Sequence, residues 1–196
     1  MRMSIMEQVK ALREKTGGGI VEVKKALDEA NGDEAKAIEI LKKRGEAKAI
    51  KKTDRTAGEG IVVSYIHSNN RVGTLLTLLC ETDFVGRTEE FQELAKDLAM
   101  HITAMAPQYV RPEDVPTEIV AKERVIWEEQ VAAEGKPAEI AEKILVGKEK
   151  KFREELALLT QPFVKDSTKT VQALITEKIH RIGENIQVGS FTRFEI

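Results

Sequence analysis

Ile61-Val62-Val63-Ser64-Tyr65-Ile66, then Asn69-Asn70, then Val72-Gly73-Thr74-Leu75-Leu76-Thr77-Leu78-Leu79-Cys80, then Glu81-Thr82-Asp83-Phe84-Val85-Gly86-Arg87: this stretch decides the fold. From Gly60 the apolar period is two, with Ile61, Val63 and Tyr65 alternating against Val62, Ser64 and Ile66. Asn69-Asn70 supplies residues tolerant of positive φ, so the two runs read as a β-hairpin. The second run is apolar on both faces at Leu75-Leu76 and Leu78-Leu79, which predicts the central and better-buried strand. Beyond Arg87 the period becomes helical. Thr88 is a candidate N-cap, Glu89 and Glu90 suit the first turn, and Phe91, Leu94, Ala95, Leu98, Ala99, Ile102 and Met105 form one stripe ended by Pro107.

Thr82–Val85 therefore lies between a strand and a helix, with an acid beside an aromatic. Two readings fit. In one it is a connector, with Phe84 tucked into its own core. In the other Asp83 and Phe84 project together as a probe that enters a partner protein. Burial of a Phe contributes roughly 1.5–3 kcal/mol, enough to drive a local rearrangement in a partner's pocket. The neighbouring carboxylate would compete with, or repel, an acidic or phosphate cluster there.

Downstream, helices are expected from about Thr117 to Glu134 and from Pro137, in the N1 position, to about Leu159, with Gly147 as a possible divider. Gln161-Pro162-Phe163-Val164 reads as a loop with an anchored aromatic. A last helix over Val171 to Ile182 ends at Gly183, and a final strand follows through Ile196. Upstream, residues 4–44 read as three short helices. Ser4 to Glu7 has capping-box spacing, Ile5, Val9 and Leu12 form a stripe, and Gly17-Gly18-Gly19 breaks the first helix. Ile20, Val23, Ala26 and Leu27 face inward on the second. Asn31-Gly32 is a C-cap signal, Asp33 an N-cap, and Ala37, Ile38 and Leu41 mark the third helix, which Gly45 closes. The expected fold is α+β: an N-terminal three-helix bundle at 1–45, a basic linker at 46–59, and a core at 60–196 with a small antiparallel sheet covered by helices.

Composition narrows the function. The chain has 196 residues, 41% hydrophobic and 33% charged, with a net charge of −2, so a well-packed core is available and a generic nucleic-acid binder is disfavoured. Residues 1–55 hold 14 Lys/Arg against 10 Asp/Glu, whereas residues 56–196 hold 17 against 23. The single Cys80 permits no internal disulfide, which fits a reducing compartment. No signal-peptide core and no membrane-length apolar run is visible, and a cytoplasmic location is expected. Enzyme signatures are missing. There is no P-loop, Gly17-Gly18-Gly19 follows a helix rather than a strand, and His67, His101 and His180 lack metal-ligand spacing. His101, His180 and Cys80 read as structural. No catalytic residue, metal ligand or cofactor is called for.

Leu12-Arg13-Glu14-Lys15-Thr16-Gly17-Gly18-Gly19 with Lys24-Lys25-Ala26-Leu27 resembles the N-terminal signature of the bacterial elongation factor Ts family, and Cys80-Glu81-Thr82-Asp83-Phe84-Val85 resembles its second signature. Tyr65-Ile66-His67, Arg71-Val72-Gly73, Gly135-Lys136-Pro137, Ile140-Ala141-Glu142-Lys143 and Gln161-Pro162-Phe163-Val164 also match, and the length resembles the family's short form. Gly18 departs from a common alanine. The resemblance implies a guanine nucleotide exchange factor for elongation factor Tu, without covalent chemistry and without nucleotide binding of its own. Its bundle, similar to a ubiquitin-associated module, would dock on the GTPase domain through Leu12, Arg13, Ile20 and Val21. Thr82, Asp83, Phe84 and Val85 would enter near the Mg²⁺ and nucleotide site. No membrane and no specific nucleic acid are implied as partners, and a homodimer through the final strand is open. The alternative is a ribosome- or RNA-associated module that uses the basic 42–55 stretch.

Overall fold

The computed structural model describes residues 5–16, 19–52 and 54–196. The chain packs as two compact units, and the expected α+β class is what is found. One unit combines the residues up to Gly60 with Leu79–Gly86 and Ile175–Gln187. The other holds Ile61–Leu78, Arg87–Leu174 and Val188–Ile196.

The first unit begins with α1 (Ile5–Thr16), α2 (Ile20–Glu29) and α3 (Glu34–Ile50). Ser4, Gly17 and Gly18 lie outside the described residues, so the capping box and most of the glycine break do too. Gly19 is the N-cap of α2, and its carbonyl accepts from Val23 N at 2.9 Å. At the far end Asn31 and Gly32 take φ of 52° and 80°, and Gly32 N donates to Leu27 O at 2.8 Å. That left-handed pair turns the chain sharply. Asp33 then caps α3 by accepting from Lys36 N at 3.1 Å.

Val9, Leu12, Val23, Ala26, Leu27, Ala30, Ala37 and Leu41 are buried together between the three helices. Ile5 and Ile20 were expected in the stripes but stand exposed. Each begins its helix, where the turn before it supplies no packing surface. A second difference concerns Gly45. It does not stop α3, which continues to Ile50. Gly45 is buried, and a Cβ there would meet the His180 ring at 3.1 and 3.2 Å. The glycine thus serves close approach rather than termination. His180 belongs to the last helix, α8, introduced below.

The second unit contains most of the sheet. Strands β1 (Glu59–Ile66), β2 (Val72–Cys80) and β5 (Gln187–Glu195) run in the order β1-β2-β5, so β2 is central as expected. The hairpin turns with Asn70 at φ 54° and closes through Asn70 N to His67 O at 2.8 Å. A Cβ at Gly73 would stand 2.9 Å from Tyr65 O, so only glycine lets the two strands approach there. One face of β2 is buried at Thr74, Leu76 and Leu78. The other was expected to be covered too, yet Leu75 is exposed there, as are Val62, Ile66 and Phe194 of the sheet. Among the described residues no helix covers that face at those positions.

After β2 come a single turn, α4 (Asp83–Gly86), and then α5 (Glu89–Met105), capped by Thr88. Thr74 and Thr103 share a buried hydroxyl hydrogen bond of 2.8 Å, which joins β2 to α5. Ala106 at φ 49° ends α5 before Pro107. Helices α6 (Thr117–Ala133) and α7 (Ala138–Leu156) form a hairpin. It is held by Trp127, Val131 and Leu145, with the Trp127 and Phe152 rings edge to face at 5.5 Å. Helix α7 begins one residue after Pro137, runs through Gly147 unbroken and stops short of Leu159. The expected Gln161–Val164 loop instead carries a two-residue strand, β3 (Pro162–Phe163), paired antiparallel with β4 (Asp166–Thr170). Helix α8 (Val171–Ile182) and β5 complete the chain.

Candidate functional site

The turn at 81–86 is assembled by backbone groups and two carboxylates. Cys80 is fully buried at the end of β2, and its thiol donates to Thr82 O at 3.1 Å. Burial pushes the Cys80 thiol above its ordinary value, and the nearby Glu184 charge adds to that. Such a thiol is a poor nucleophile, in line with a structural role. Thr82 starts the helical turn: Gly86 N reaches Thr82 O at 3.4 Å, and Val85 N reaches Thr82 Oγ1 at 3.5 Å. Gly86 is buried and Val85 half-buried, while Thr82 and Asp83 are exposed. Phe84 is 80% exposed, so it is not tucked into its own core.

Sequence reasoning missed what ties this turn down. Oε2 of Glu184 accepts from Glu81 N and Thr82 N, both at 3.0 Å, and its Oε1 accepts from Thr82 Oγ1 at 2.6 Å. In return Glu81 Oε1 accepts from Asn185 N at 2.7 Å. Each segment thus lends a carboxylate to the other's backbone, and charge-assisted bonds of this kind are the strong ones. The 183–185 segment is tied in turn to the residues following α3. Lys52 Nζ donates to Gly183 O at 2.5 Å, Asn185 Nδ2 donates to Arg55 O at 2.7 Å, and the Arg55 guanidinium lies 3.6 Å from Glu81 Oε2. The only available signal was an acid beside an asparagine just after a helix-ending glycine, and that pattern points nowhere by itself.

The bundle carries the other expected residues. Arg13, Ile20 and Val21 lie on its surface, with Ile20 and Val21 53% and 68% exposed. They line an open groove whose rim includes Lys25, Arg44 and Lys48. Leu12 is a correction: it is 1% exposed and belongs to the bundle core. Its position one residue before Arg13 turns it about 100° round the helix, toward α2 and α3. The exposed Met6 adjoins Arg13 and Ile20 in a second groove on this unit.

The basic stretch is less available than its composition suggests. Lys43 pairs with Glu39 at 2.8 Å, Arg44 with Glu29 at 2.6 Å and Lys48 with Glu22 at 2.8 Å. Two of these pairs join α3 to α2. Among the described residues no group of three or more His, Cys, Asp or Glu side chains could hold a metal ion. Among them, too, no helix is long and apolar enough to cross a membrane.

Fold and site together define an α+β protein that combines a three-helix bundle, a small antiparallel sheet and a clamped turn with an exposed aromatic. The family model described as elongation factor TS matches residues 5–196. The chain is 54% identical over 188 residues to the elongation factor Ts of Thermosipho melanesiensis, covering 96% of each protein. It is 54% identical over 191 residues to that of Thermotoga maritima, covering 97% of this chain and 95% of the relative. Against that of Carboxydothermus hydrogenoformans it is 52% identical over 194 residues, covering 99% of this chain and 89% of the relative. The chain belongs to the elongation factor Ts family, and its role is that of a translation elongation factor.

Proposed function

We propose that this protein binds the GDP form of elongation factor Tu and accelerates release of GDP, which GTP then replaces. The observation that carries the reading is Phe84, 80% exposed on a turn whose backbone is pinned by Glu184. A large apolar side chain held out in water costs free energy until a partner covers it. A rigid mount means that little ordering cost remains at the moment of contact.

In this reading the parts divide the work. Residues 1–45 act as the docking module, with Arg13, Ile20 and Val21 as its contact residues on the GTPase domain. Thr82, Asp83, Phe84 and Val85 enter beside the bound nucleotide. Phe84 wedges into the GTPase and displaces its elements, and Asp83 disturbs the region that holds Mg²⁺. Weakening the partner's hold on an ion that neutralises phosphate charge would let GDP leave faster. Linkage makes the coupling reciprocal: if this protein weakens GDP binding, GDP weakens this protein's binding by the same factor. Each ~1.4 kcal/mol of coupling is worth tenfold. The factor changes no covalent bond, needs no cofactor, binds no nucleotide itself and works in the cytoplasm.

The RNA-associated alternative is weaker because Lys43, Arg44 and Lys48 are already engaged with Glu39, Glu29 and Glu22. Strand β5 lies at an edge of its sheet, and pairing of two such edges would give a homodimer, read by sedimentation. The deciding experiment is release of fluorescent GDP from elongation factor Tu with and without this protein. Acceleration is expected; an unchanged release rate overturns the reading.

A further inference from the structure

We propose that Glu184 is the positioning residue of the exchange turn: its carboxylate fixes the backbone at Glu81 and Thr82 and so sets the direction in which Phe84 projects. The inference rests on the exchange reading above. Three bonds converge on one carboxylate, from two successive backbone amides at 3.0 Å and a hydroxyl at 2.6 Å. Two successive amides accepted by one oxygen leave the peptide planes on either side of the Glu81 Cα little freedom to rotate. Those planes lie just upstream of the helical turn Asp83–Gly86 that carries Phe84, one residue before it.

A surface turn needs no such arrangement merely to fold. Thr82 Oγ1 already serves the turn by accepting from Val85 N, so a local cap is in place without Glu184. What Glu184 adds is attachment to a second segment, and that segment is itself held. Asn185 N and Nδ2 are bonded to Glu81 Oε1 and Arg55 O, and Gly183 O to Lys52 Nζ. The turn is therefore referenced to the chain that leaves α3 of the docking bundle. Docking geometry and probe geometry are coupled through residues 183–185, all within one compact unit.

Glu184 touches no partner in this scheme. It acts through Phe84, and that sets the test. In the GDP-release assay, Glu184→Ala is expected to lower the saturating rate about 10- to 100-fold, the scale of misplacing a reacting group by an ångström. The half-saturating concentration should stay within about twofold, since Arg13, Ile20 and Val21 are untouched. Glu184→Gln, which keeps a carbonyl for both amides, should restore most of the rate. In a Phe84→Ala background Glu184→Ala should cost nothing further, because the two act as one unit. Amide hydrogen exchange of the free protein gives a readout independent of the GTPase. Glu81 and Thr82 should lose protection in Glu184→Ala while Val23 and Leu41 of the bundle keep theirs.

An unchanged saturating rate with amides 81 and 82 still protected overturns the proposal. So does a loss that multiplies with that of Phe84→Ala. If the wild-type protein fails to accelerate GDP release, the proposed function falls, and the positioning role of Glu184 is decided by the two amides alone.

Discussion

Asp83-Phe84-Val85 and Pro162-Phe163-Val164 carry the same Phe-Val pair on short connections, and the protein uses them in opposite ways. Phe163 is 4% exposed, whereas Phe84 is 80% exposed. Phe163 lies 5.9 Å from the ring of His101, which is itself fully buried. Val164 N donates to His101 Nδ1 at 3.1 Å, so the proton sits on Nε2 and is donated to Gln161 Oε1 at 3.1 Å. The Phe163 segment is thus held from within, by a side chain that offers an aromatic face and hydrogen bonds together. The Phe84 segment is held from beside, by a half-buried carboxylate that engages two backbone amides and the Thr82 hydroxyl but not the Phe84 ring. Anchoring the backbone and not the side chain leaves the aromatic ring without a partner of its own. The difference teaches that the fate of an apolar residue in a loop depends on which atoms of that loop are tied.

Exchanging the perturbations between the two segments should break the symmetry. The largest effect is on stability. Phe163→Ala should lower unfolding free energy by about 3–5 kcal/mol, read from the denaturant midpoint, while activity per folded molecule stays near wild type. Phe84→Ala should do the reverse: an unchanged midpoint with GDP release slowed about 10- to 100-fold, matching the roughly 1.5–3 kcal/mol of one buried aromatic. If Phe84→Ala instead melts the protein, the ring is structural and the contrast is lost.

Docking should separate from the probe. Val21→Ser is expected to raise the half-saturating concentration about threefold to tenfold while leaving the saturating rate alone, the scale of one or two methyl groups no longer buried on binding. A fall in the saturating rate would merge the two functions that the comparison keeps apart.

The smallest effect is on pH dependence. Burial holds His101 below its ordinary value, opposed by the hydrogen bond to Gln161. As pH falls below about 6.5, the unfolded chain binds a proton at this histidine that the folded chain does not. Stability contributed by neutral His101 is therefore complete above that pH and is lost as pH drops toward the folded value. Thermal midpoints between pH 7.5 and 5.5 should show this decline in the wild type, and His101→Gln should flatten it.

Much of this was legible because periodicity and caps are local. The hairpin, the central place of β2, the Asp33 and Thr88 caps and the Asn31-Gly32 turn all depend on residues within a few positions of one another. Gly45 reads as a helix stop because the reason for a glycine there is His180, a residue far along the chain. A motif match puts Leu12 on the surface because it does not say which way a helix is rotated, and the core packing does. The open face at Leu75 could not be seen, since an apolar residue reads the same whether or not an element covers it. Strands β3 and β4 are too short for a period to show. Exposure of Phe84 lay beyond local pattern, and Glu184 beyond any pattern.

The carboxylate that holds the turn has a consequence for how the protein is made. Glu184 follows Thr82 by 102 residues, and Asn185 follows Glu81 by 104. A chain growing from its N-terminus at about 5–20 residues per second completes the bundle, the hairpin and Phe84 several seconds before residue 184 is added. During that interval the aromatic ring can be exposed, but the turn that bears it has no distant anchor. Long-range contacts also close late in refolding. Recovery of directed activity should therefore lag behind recovery of helix content, and the fully aimed turn belongs only to a chain synthesised past α8, through residue 185.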